Sequence, residues 1–297
     1  MKNYGMIKMK FQKYGKRIPN LLDKEVEFQP IDFAMKSPFK RLNYLLELIK
    51  ERKPSIFTDY VKNLKLKLKS LVKEDIISKK DLNINELLSN FDILKGQPEL
   101  AKNSLNHFLQ VLQPSEKDDW VNEKVKILNK NYLRSFLIPK YYNLQALSET
   151  IGRDEAIQFY KFYVTKFIND NLSPTRKIFD TMEAFKEHFE MDKKEITVGW
   201  YGLLSGVKDG KFFFRKDNCL WAEALMDLPD TEIKYLICCY GDFQAALTRS
   251  NDSFVLTMKN TIVEGDPYCD CIYHDTSIDW DLTHPLSEFW DNLKPID

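Results

Sequence analysis

The chain has 297 residues, of which 43% are hydrophobic and 13% aromatic, and its 44 basic residues equal its 44 acidic residues. Such a composition supports a packed core and excludes a globally disordered chain. The balanced charge argues against a general nucleic-acid-binding surface, because such surfaces carry an excess of basic residues. No apolar stretch reaches the length of about 18 residues that a membrane-spanning helix needs.

The cysteines and the N-terminal segment together indicate a compartment. The segment 1–17 is basic but has neither the apolar stretch nor the small-residue cleavage site of a secretory signal. The five cysteines are an odd number, and without an export signal they are expected to be free thiols. We therefore expect a cytoplasmic protein.

The first 118 residues are predicted to be an arm followed by a helical domain. Residues 1–35 are basic and irregular and are expected to lie over the surface. Residues 36–118 carry apolar side chains at helical spacing, which predicts several helices. The basic stretch 62–73 among them indicates a solvated helix face or, alternatively, a surface for an acidic partner. The clearest helical stripes are Leu42, Leu45, Leu46 and Ile49, and then Val61, Leu64, Leu68 and Leu71.

Residues 119–297 are predicted to form an α+β domain with a mostly antiparallel sheet flanked by helices. An aromatic-rich helix over 154–172 is followed by Ser173 and Pro174, which favour the start of a second helix. Two more helical pieces, split at Pro229, separate two predicted hairpins. The first hairpin has strands 195–204 and 211–217 with a turn at 208–211. The second has strands 253–260 and 268–275 with a turn at 264–267.

Common catalytic and cofactor motifs are absent from the sequence. There is no glycine-rich phosphate loop, no nucleophile elbow and no His-Glu-x-x-His zinc motif. The four histidines, at 107, 188, 274 and 284, are too scattered to indicate a metal site. We therefore predict neither a cofactor nor a metal, and the cysteines and acids of the last third remain as candidates.

The helix predicted after Pro229 carries a cysteine and an acid three residues apart. Its apolar stripe places Cys239 and Asp242 beside the edge of the core, where a pocket can open, and Cys238 on the opposite side. A small buried hydrophobe is the alternative interpretation of Cys239. Cys219 follows a strand at the start of a helix, where the pKa of a thiol can be lowered, so it is a candidate nucleophile or a packed thiol.

Alternation along the strand 268–275 divides its side chains between two faces of the sheet. A Cys-x-Cys pair can bind a metal, but structural zinc sites use two to four intervening residues and a second ligand pair. The metal signal is therefore weak. The two faces carry Cys269, Cys271 and Tyr273, and Asp270, Ile272 and His274, respectively.

The order of these segments resembles a known family. The stretches are "DNCLW", "CYGD" and "MKNTIVEGDPYCDC", and the helix "ETIGRDEAIQFYKFYV" precedes them. They resemble the L-2-amino-thiazoline-4-carboxylic acid hydrolase family over about residues 120–275, chiefly through the Gly-Asp-x-x-Cys-Asp block. Cys271 stands where the family commonly has an aromatic residue, and the first 115 residues have no counterpart in it.

The resemblance implies a hydrolase that opens a small cyclic amidine or thiazoline-type substrate at a carbon–nitrogen bond. Such a step needs an activated nucleophile and a proton donor for the leaving nitrogen. Asp270 points away from Cys269 on the strand, so a pairing of Cys269 with Asp266 or Asp242 is favoured. The candidate catalytic residues are Cys219, Cys239, Asp242 and Cys269, and the candidate substrate-binding residues are Thr261, Asp266 and Asp270.

Two other classes of function stay open at this point. One is a non-catalytic small-molecule-binding or sensor domain with structural cysteines, and the other is a scaffold acting through the basic N-terminal helices. Iodoacetamide is expected to find one hyper-reactive cysteine in an enzyme and none in a sensor. We expect a small molecule as the partner, with no nucleic acid and no membrane, and the chain can form a homo-oligomer.

Overall fold

The structure is a computed structural model that describes residues 11–14, 19–80, 82–191 and 203–293. Its contacts divide the chain into two compact units: residues 22–167, here the helical unit, and residues 1–21 with 168–297, here the sheet unit. The predicted α+β class, with helices first and an antiparallel sheet later, is confirmed. The predicted domain limits at 35 and 118 stay predictions. The contacts themselves divide the chain after Leu21 and after Phe167.

The helical unit contains a long helix, α8 (Asn129–Ile151), in residues that the sequence analysis placed in the later domain. This helix packs against α3 (Phe57–Leu71) and α7 (Pro98–Leu112) and buries Leu137 and Leu144 completely or nearly so. In the parts of the chain that are described, no helix is both long and apolar enough to cross a membrane. The elements of the unit are α1 Pro30–Ala34, α2 Lys40–Arg52, α3 Phe57–Leu71, α4 Ile76–Lys79, α5 Ile84–Leu87, α6 Asp92–Lys95, α7 Pro98–Leu112, α8 Asn129–Ile151 and α9 Arg153–Asp170, with strands β2 Glu25–Phe28 and β3 Val125–Leu128.

The predicted N-terminal arm contains regular structure where it is described. Strand β2 pairs antiparallel with β3 in a two-stranded sheet, with Val26 opposite Ile127. A further strand, β1 (Gln12–Tyr14), pairs with β4 of the sheet unit described below. Both strands have only three or four residues, which is too short for alternation to reveal them in the sequence.

The basic face of α3 is partly neutralised within the helical unit. The ammonium of Lys65 lies 2.7 Å from a carboxylate oxygen of Glu99, and that of Lys67 lies 2.7 Å from Glu149. Because these ion pairs are partly exposed, the lysines are those of a solvated helix face. A surface for an acidic partner is therefore not needed to account for them.

His107, which the sequence analysis did not treat as a site residue, lines a small cavity in the helical unit. The cavity has a volume of about 20 Å³ and is lined by Ser104, His107 and Asn143 together with apolar side chains. That volume suits one water molecule and excludes an organic substrate. Burial lowers the pKa of His107 to about 4, so the ring is neutral at physiological pH.

The sheet unit is built on a five-stranded antiparallel sheet in the order β1-β4-β5-β7-β6. Helices α10 (Met182–Met191) and α13 (Gly241–Leu247) pack against strands of this sheet. Helices α11 (Leu220–Ala224) and α12 (Thr231–Cys238) contact a 3-10 turn at Ile262–Glu264. The two predicted hairpins are thus present as β4–β5 and β6–β7. The elements are β4 Leu203–Lys208, β5 Lys211–Lys216, β6 Phe254–Thr257 and β7 Cys269–Asp275, with α10 Met182–Met191, α11 Leu220–Ala224, α12 Thr231–Cys238, α13 Gly241–Leu247 and α14 Ser287–Asp291.

The turn between β4 and β5 has the backbone that its sequence predicts. Asp209 and Gly210 both have positive φ, 51° and 69°, as a two-residue hairpin turn of type I′ requires. Most of the predicted strand 195–204 lies outside the described residues, and its described end begins β4.

The helix predicted to begin at Ser173 and Pro174 begins instead at Met182. The hydroxyl of Ser173 accepts the amide of Thr175 in a local turn, and Phe179 donates its amide to the carbonyl of Arg249. The helix cap is Thr181, whose hydroxyl accepts the amide of Ala184. The prediction was wrong because a tertiary hydrogen bond holds residues 174–181 in an irregular path, and Thr181 supplies an equally good cap.

Candidate functional site

The register of β5 with β7 decides which candidate residues share a face of the sheet. Lys216 lies opposite Cys269 and Phe214 opposite Cys271, whereas Arg215 lies opposite Asp270. Directly opposed residues of antiparallel strands project to the same side. The predicted alternation along β7 is thus confirmed: the thiols lie on one face, and Asp270 lies on the other.

All five cysteines of the chain are free, and we call them the thiol cluster. Cys219, Cys238 and Cys239 belong to one packed group that also contains Ala222 and Val263. Cys269 and Cys271 are buried in the neighbouring aromatic core, and Cys269 interacts electrostatically with Cys219 and Cys239. The structure therefore brings the predicted Cys219, Cys239 and Cys269 to one side of the sheet.

The helix after Pro229 is interrupted at the cysteines, and this corrects the prediction for Cys238. Helix α12 ends at Cys238, and the amides of Cys239 and Tyr240 both donate to the carbonyl oxygen of Tyr235, at 2.8 and 3.2 Å. A new helix, α13, begins at Gly241. A helical wheel drawn through this break is invalid for the residues after Cys238. Cys238 itself does not face solvent, because helix α11 and Cys219 pack against its side of α12.

Three thiols contact one another in a row, with Cys238 between Cys219 and Cys239. Contact with a neighbouring thiol is the largest influence on the pKa of each of the three. Cys238 and Cys239 are both half-buried, whereas Cys219 is buried. Cys239 is therefore the half-buried end of the row.

None of these contacts produces a preformed thiolate. The hydrogen bond to Cys238 and burial raise the pKa of Cys219 well above its ordinary value, which contradicts the lowered pKa expected at a helix start. Helix α11 has only five residues, too few to offset the burial. For Cys239, the hydrogen bond from Cys238 lowers the pKa, but burial and the nearby carboxylate of Asp242 raise it overall.

The thiols at the start of β7 are held by specific partners. The amide of Ile262 donates to Sγ of Cys269 at 3.3 Å, and Sγ of Cys271 donates to Sδ of Met258 at 3.5 Å. Burial raises the pKa of Cys269 to about 12, although the ammonium of Lys216 opposes this effect. Cys269 is therefore a neutral thiol at pH 7.

We predict slow alkylation of every cysteine in the free protein at pH 7. Because the pKa of each thiol is raised, iodoacetamide should react more slowly with the native protein than with free cysteine, with Cys239 reacting first and the rate rising with pH. Mass spectrometry of timed samples measures this, and Cys239→Ala should remove the fastest site. A cysteine that reacts faster than free cysteine at pH 7 would contradict the prediction.

Asp242 lies at the rim of the thiol cluster. It occupies the first turn of α13, and its side chain is exposed. Its carboxylate interacts electrostatically with Cys239, Tyr235 and Lys216. The structure therefore brings Asp242 together with Cys239, as the sequence predicted, although the two residues flank a break rather than share a helix.

Thr261 and Asp266 stabilise the loop between β6 and β7. A carboxylate oxygen of Asp266 accepts the amide of Thr261 at 2.8 Å, and the hydroxyl of Thr261 donates to Glu264 at 2.6 Å. Gly265, between them, has a φ of 102°, which only glycine adopts readily. These contacts hold the 3-10 turn whose first amide, that of Ile262, reaches Cys269.

Asp270 lies on the opposite face and is fully buried. One carboxylate oxygen accepts the amides of Lys259 and Asn260 at 2.7 and 2.8 Å, and the other accepts the side-chain amide of Asn260. Nε2 of His284 lies 3.3 Å from that second oxygen. Burial raises the pKa of Asp270, but these partners outweigh it and lower the pKa below its usual value. The structure thus separates Asp270 from the thiols.

Two histidines continue this polar network on the same face. The hydroxyl of Thr257 lies 2.8 Å from Nε2 of His274 and 2.9 Å from Nδ1 of His284. Burial lowers the pKa of His274 to about 4, so this ring is neutral at pH 7. Within residues 11–14, 19–80, 82–191 and 203–293, no three or more histidine, cysteine or acidic side chains are arranged to hold a metal ion.

Lys216 is the site residue that the sequence analysis missed. It is half-buried at the end of β5, opposite Cys269, and its ammonium lies 5.4 Å from the centre of the Phe214 ring. Its charge interacts with Cys271, Asp242, Cys269 and Cys219. The signal was the alternation of β5, which puts Lys216 on the same face as two buried phenylalanines, where a lysine is unexpected.

Part of the chain matches a model of a known protein family. Residues 134–273 match the family model of L-2-amino-thiazoline-4-carboxylic acid hydrolase. The family resemblance is thus confirmed for this segment. The match contains the thiol cluster, Lys216 and Asp242, and it ends before His274 and His284. Comparisons with curated proteins and with solved structures found no match.

Proposed function

We propose that this chain is a hydrolase that opens a small cyclic amidine of the thiazoline type at a carbon–nitrogen bond. The family match supports hydrolase activity in general. The observation that carries the finer proposal is the half-buried thiol of Cys239 at the end of the row of three thiols, with the carboxylate of Asp242 close by at the start of α13. A thiol nucleophile and a carboxylate are the groups that amidine hydrolysis needs.

The neutral state of the thiols suits a cationic substrate. A protonated amidine brings a positive charge next to Cys239, and a nearby cation lowers the pKa of a thiol. Asp242 binds the amidinium by an ionic hydrogen bond. The substrate thereby favours the thiolate that attacks it, and no reactive thiolate exists in its absence.

The steps balance without any added oxidant or cofactor. Sγ of Cys239 bonds to the amidine carbon, the ring carbon–nitrogen bond breaks, and the thiol proton goes to the leaving nitrogen. Water then adds to the same carbon, the bond to Sγ breaks, and one proton of the water returns to the sulfur. The net reaction is the addition of one water molecule, which opens the ring and leaves a carbonyl group.

Turnover by the wild-type protein tests the function directly. We expect 2-amino-thiazoline-4-carboxylate to lose its ring when it is incubated with the purified chain, with a new amine appearing in equal amount. Chromatography with mass detection measures the product. If the protein binds this compound by calorimetry but leaves the ring intact over many hours, the hydrolase proposal fails.

One observation favours a second candidate function, a small-molecule-binding domain. The pKa values of all five thiols are raised, as structural cysteines would also show. Binding without ring opening in the same experiment is the result that this alternative predicts.

A further inference from the structure

Cys219 and Cys238 are two thiols that contact each other from different segments of the chain. Cys219 directly precedes helix α11 and has an extended backbone, whereas Cys238 is the last residue of α12. The two helices pack together, and both cysteines belong to the same packed group. Both thiols are free. Two free thiols whose side chains face each other meet the first geometric requirement of a disulfide bond.

Other pairs within the thiol cluster are less suited to such a bond. Cys238 and Cys239 are neighbours in the chain, and a bond between neighbours closes an eight-membered ring that strains the planar peptide between them. Cys269 and Cys271 are alternate residues of β7, and the rise of a strand separates such residues by about 6.6 Å. Cys219 lies outside α11, so its side chain can turn towards Cys238 without disturbing a helix.

We propose that Cys219 and Cys238 are a modification site, at which a peroxide joins the two sulfurs in a reversible disulfide. The bond cross-links the start of α11 to the end of α12, directly beside Cys239. Formation of the disulfide does not depend on the proposed function, whereas its effect on turnover rests on it.

The steps balance with one molecule of peroxide. Sγ of Cys238, which is half-buried, attacks a peroxide oxygen; the oxygen–oxygen bond breaks, a sulfenic acid forms and one water leaves. Sγ of Cys219 then attacks the oxidised sulfur, the sulfur–oxygen bond breaks, and a second water leaves with the proton of Cys219. The two thiols lose two electrons and the peroxide gains them. A dithiol reverses the reaction by thiol–disulfide exchange.

The oxidation is slow near neutral pH because both thiols are protonated. The contact with Cys219 lowers the pKa of Cys238, but the contact with Cys239 and burial raise it well above the ordinary value. The thiolate is the form that attacks a peroxide, so the rate should rise with pH. The site therefore responds to sustained rather than brief exposure to peroxide.

The disulfide changes the surroundings of Cys239. In the reduced protein the contact with Cys238 lowers the pKa of Cys239. A disulfide sulfur has no S–H group to donate, so this contribution is lost and the thiolate of Cys239 becomes harder to form. Oxidation of its neighbours should therefore lower the reactivity of Cys239, although its own sulfur is unchanged.

Mass spectrometry of the full-length protein tests the bond directly. Tryptic cleavage places Cys219 in the peptide 217–234 and Cys238 in the peptide 235–249. The protein is treated with hydrogen peroxide at pH 7 and pH 8.5, and the remaining thiols are then blocked with N-ethylmaleimide in urea. We expect the two peptides to be linked without reductant, to separate in dithiothreitol, and to link faster at pH 8.5.

Variants assign the link to its two sulfurs. It should persist in Cys239→Ala and in the control Cys271→Ala, and it should be absent from Cys219→Ser and Cys238→Ser. Circular dichroism before oxidation shows whether each variant is folded, and the measurement on wild type needs no variant. Absence of the link from oxidised wild-type protein, or its persistence in Cys238→Ser, overturns the proposal.

Alkylation of Cys239 tests the consequence without using turnover. We expect iodoacetamide to react with Cys239 about tenfold more slowly in the oxidised protein, since a hydrogen bond to its thiolate is lost, and dithiothreitol should restore the rate. A disulfide that leaves this rate unchanged supports the modification site and overturns its control of Cys239. A protein that forms the disulfide but never opens the ring supports the modification site and rejects the hydrolase.

Discussion

Replacing Cys239 with alanine is expected to lower kcat for ring opening by about 1,000-fold or more, because the covalent route loses its nucleophile. Cys239 is the half-buried end of the row of three thiols and lies beside Asp242, whereas Cys269 is buried and its pKa is raised to about 12. The substitution removes a half-buried side chain, so the free energy of unfolding should change by less than about 1 kcal/mol. Steady-state kinetics and urea denaturation together measure the two effects.

Cys271→Ala is the control for this prediction. Cys271 is buried, and its thiol donates to Met258. We expect kcat to stay within about threefold of the wild-type value, with a loss of stability of about 1 kcal/mol from the small cavity. If Cys239→Ala and Cys269→Ala both retain full activity, the thiol mechanism is wrong.

Replacing Asp270 with alanine is expected to lower the free energy of unfolding by about 3–5 kcal/mol. The buried carboxylate accepts the amides of Lys259 and Asn260 and the side chain of Asn260, and it lies 3.3 Å from His284. The two backbone amides and the side-chain amide lose their acceptor, and His284 loses the carboxylate beside it. In thermal unfolding, a loss of this size lowers Tm by roughly 10 °C.

Asp266→Ala is the matched control, because Asp266 is a half-buried carboxylate in the same loop that accepts the amide of Thr261. We expect it to cost about 1 kcal/mol. Calorimetric unfolding at pH 7 measures the loss of stability in both variants. Equal losses would contradict the prediction that the hydrogen bonds around Asp270 stabilise the fold more than the single bond of Asp266.

The effect of Asp270 also has a defined pH dependence. Its pKa in the folded protein is below the unfolded value of about 3.9. The carboxylate therefore contributes its full stability above that unfolded value, and the contribution is lost as the pH falls through the lower folded pKa. The difference in stability between wild type and Asp270→Ala should shrink only below about pH 4.

Local patterns predicted part of the site correctly. Two-residue alternation assigned Cys269 and Asp270 to opposite faces of β7, and the Asp209–Gly210 pair indicated the β4–β5 hairpin turn. Both depend on neighbouring residues alone, through the pleat of a strand and the positive φ of a turn. Such features follow from the sequence whatever the rest of the chain does.

Other features depended on contacts that no local pattern contains. Helix α11 packs against α12 and brings Cys219, a residue 19 positions earlier, to Cys238, and the break after Cys238 invalidated the helical wheel for Cys239. Likewise, the carbonyl of Arg249 holds Phe179 outside any helix, so the strong start signal at Ser173 had no effect. In both places a distant hydrogen-bonding or packing partner outweighed a preference of about 1 kcal/mol.

The sequence by itself determined the α+β class, the antiparallel hairpins, the family resemblance and the residue types of the site. Only the tertiary structure decided that Lys216 stands among the thiols, that the row of three thiols ends at Cys239 and that Asp270 supports the loop from the other face. The physical reason is that composition and periodicity specify which face a side chain occupies, whereas its charge environment depends on which residues the fold brings beside it.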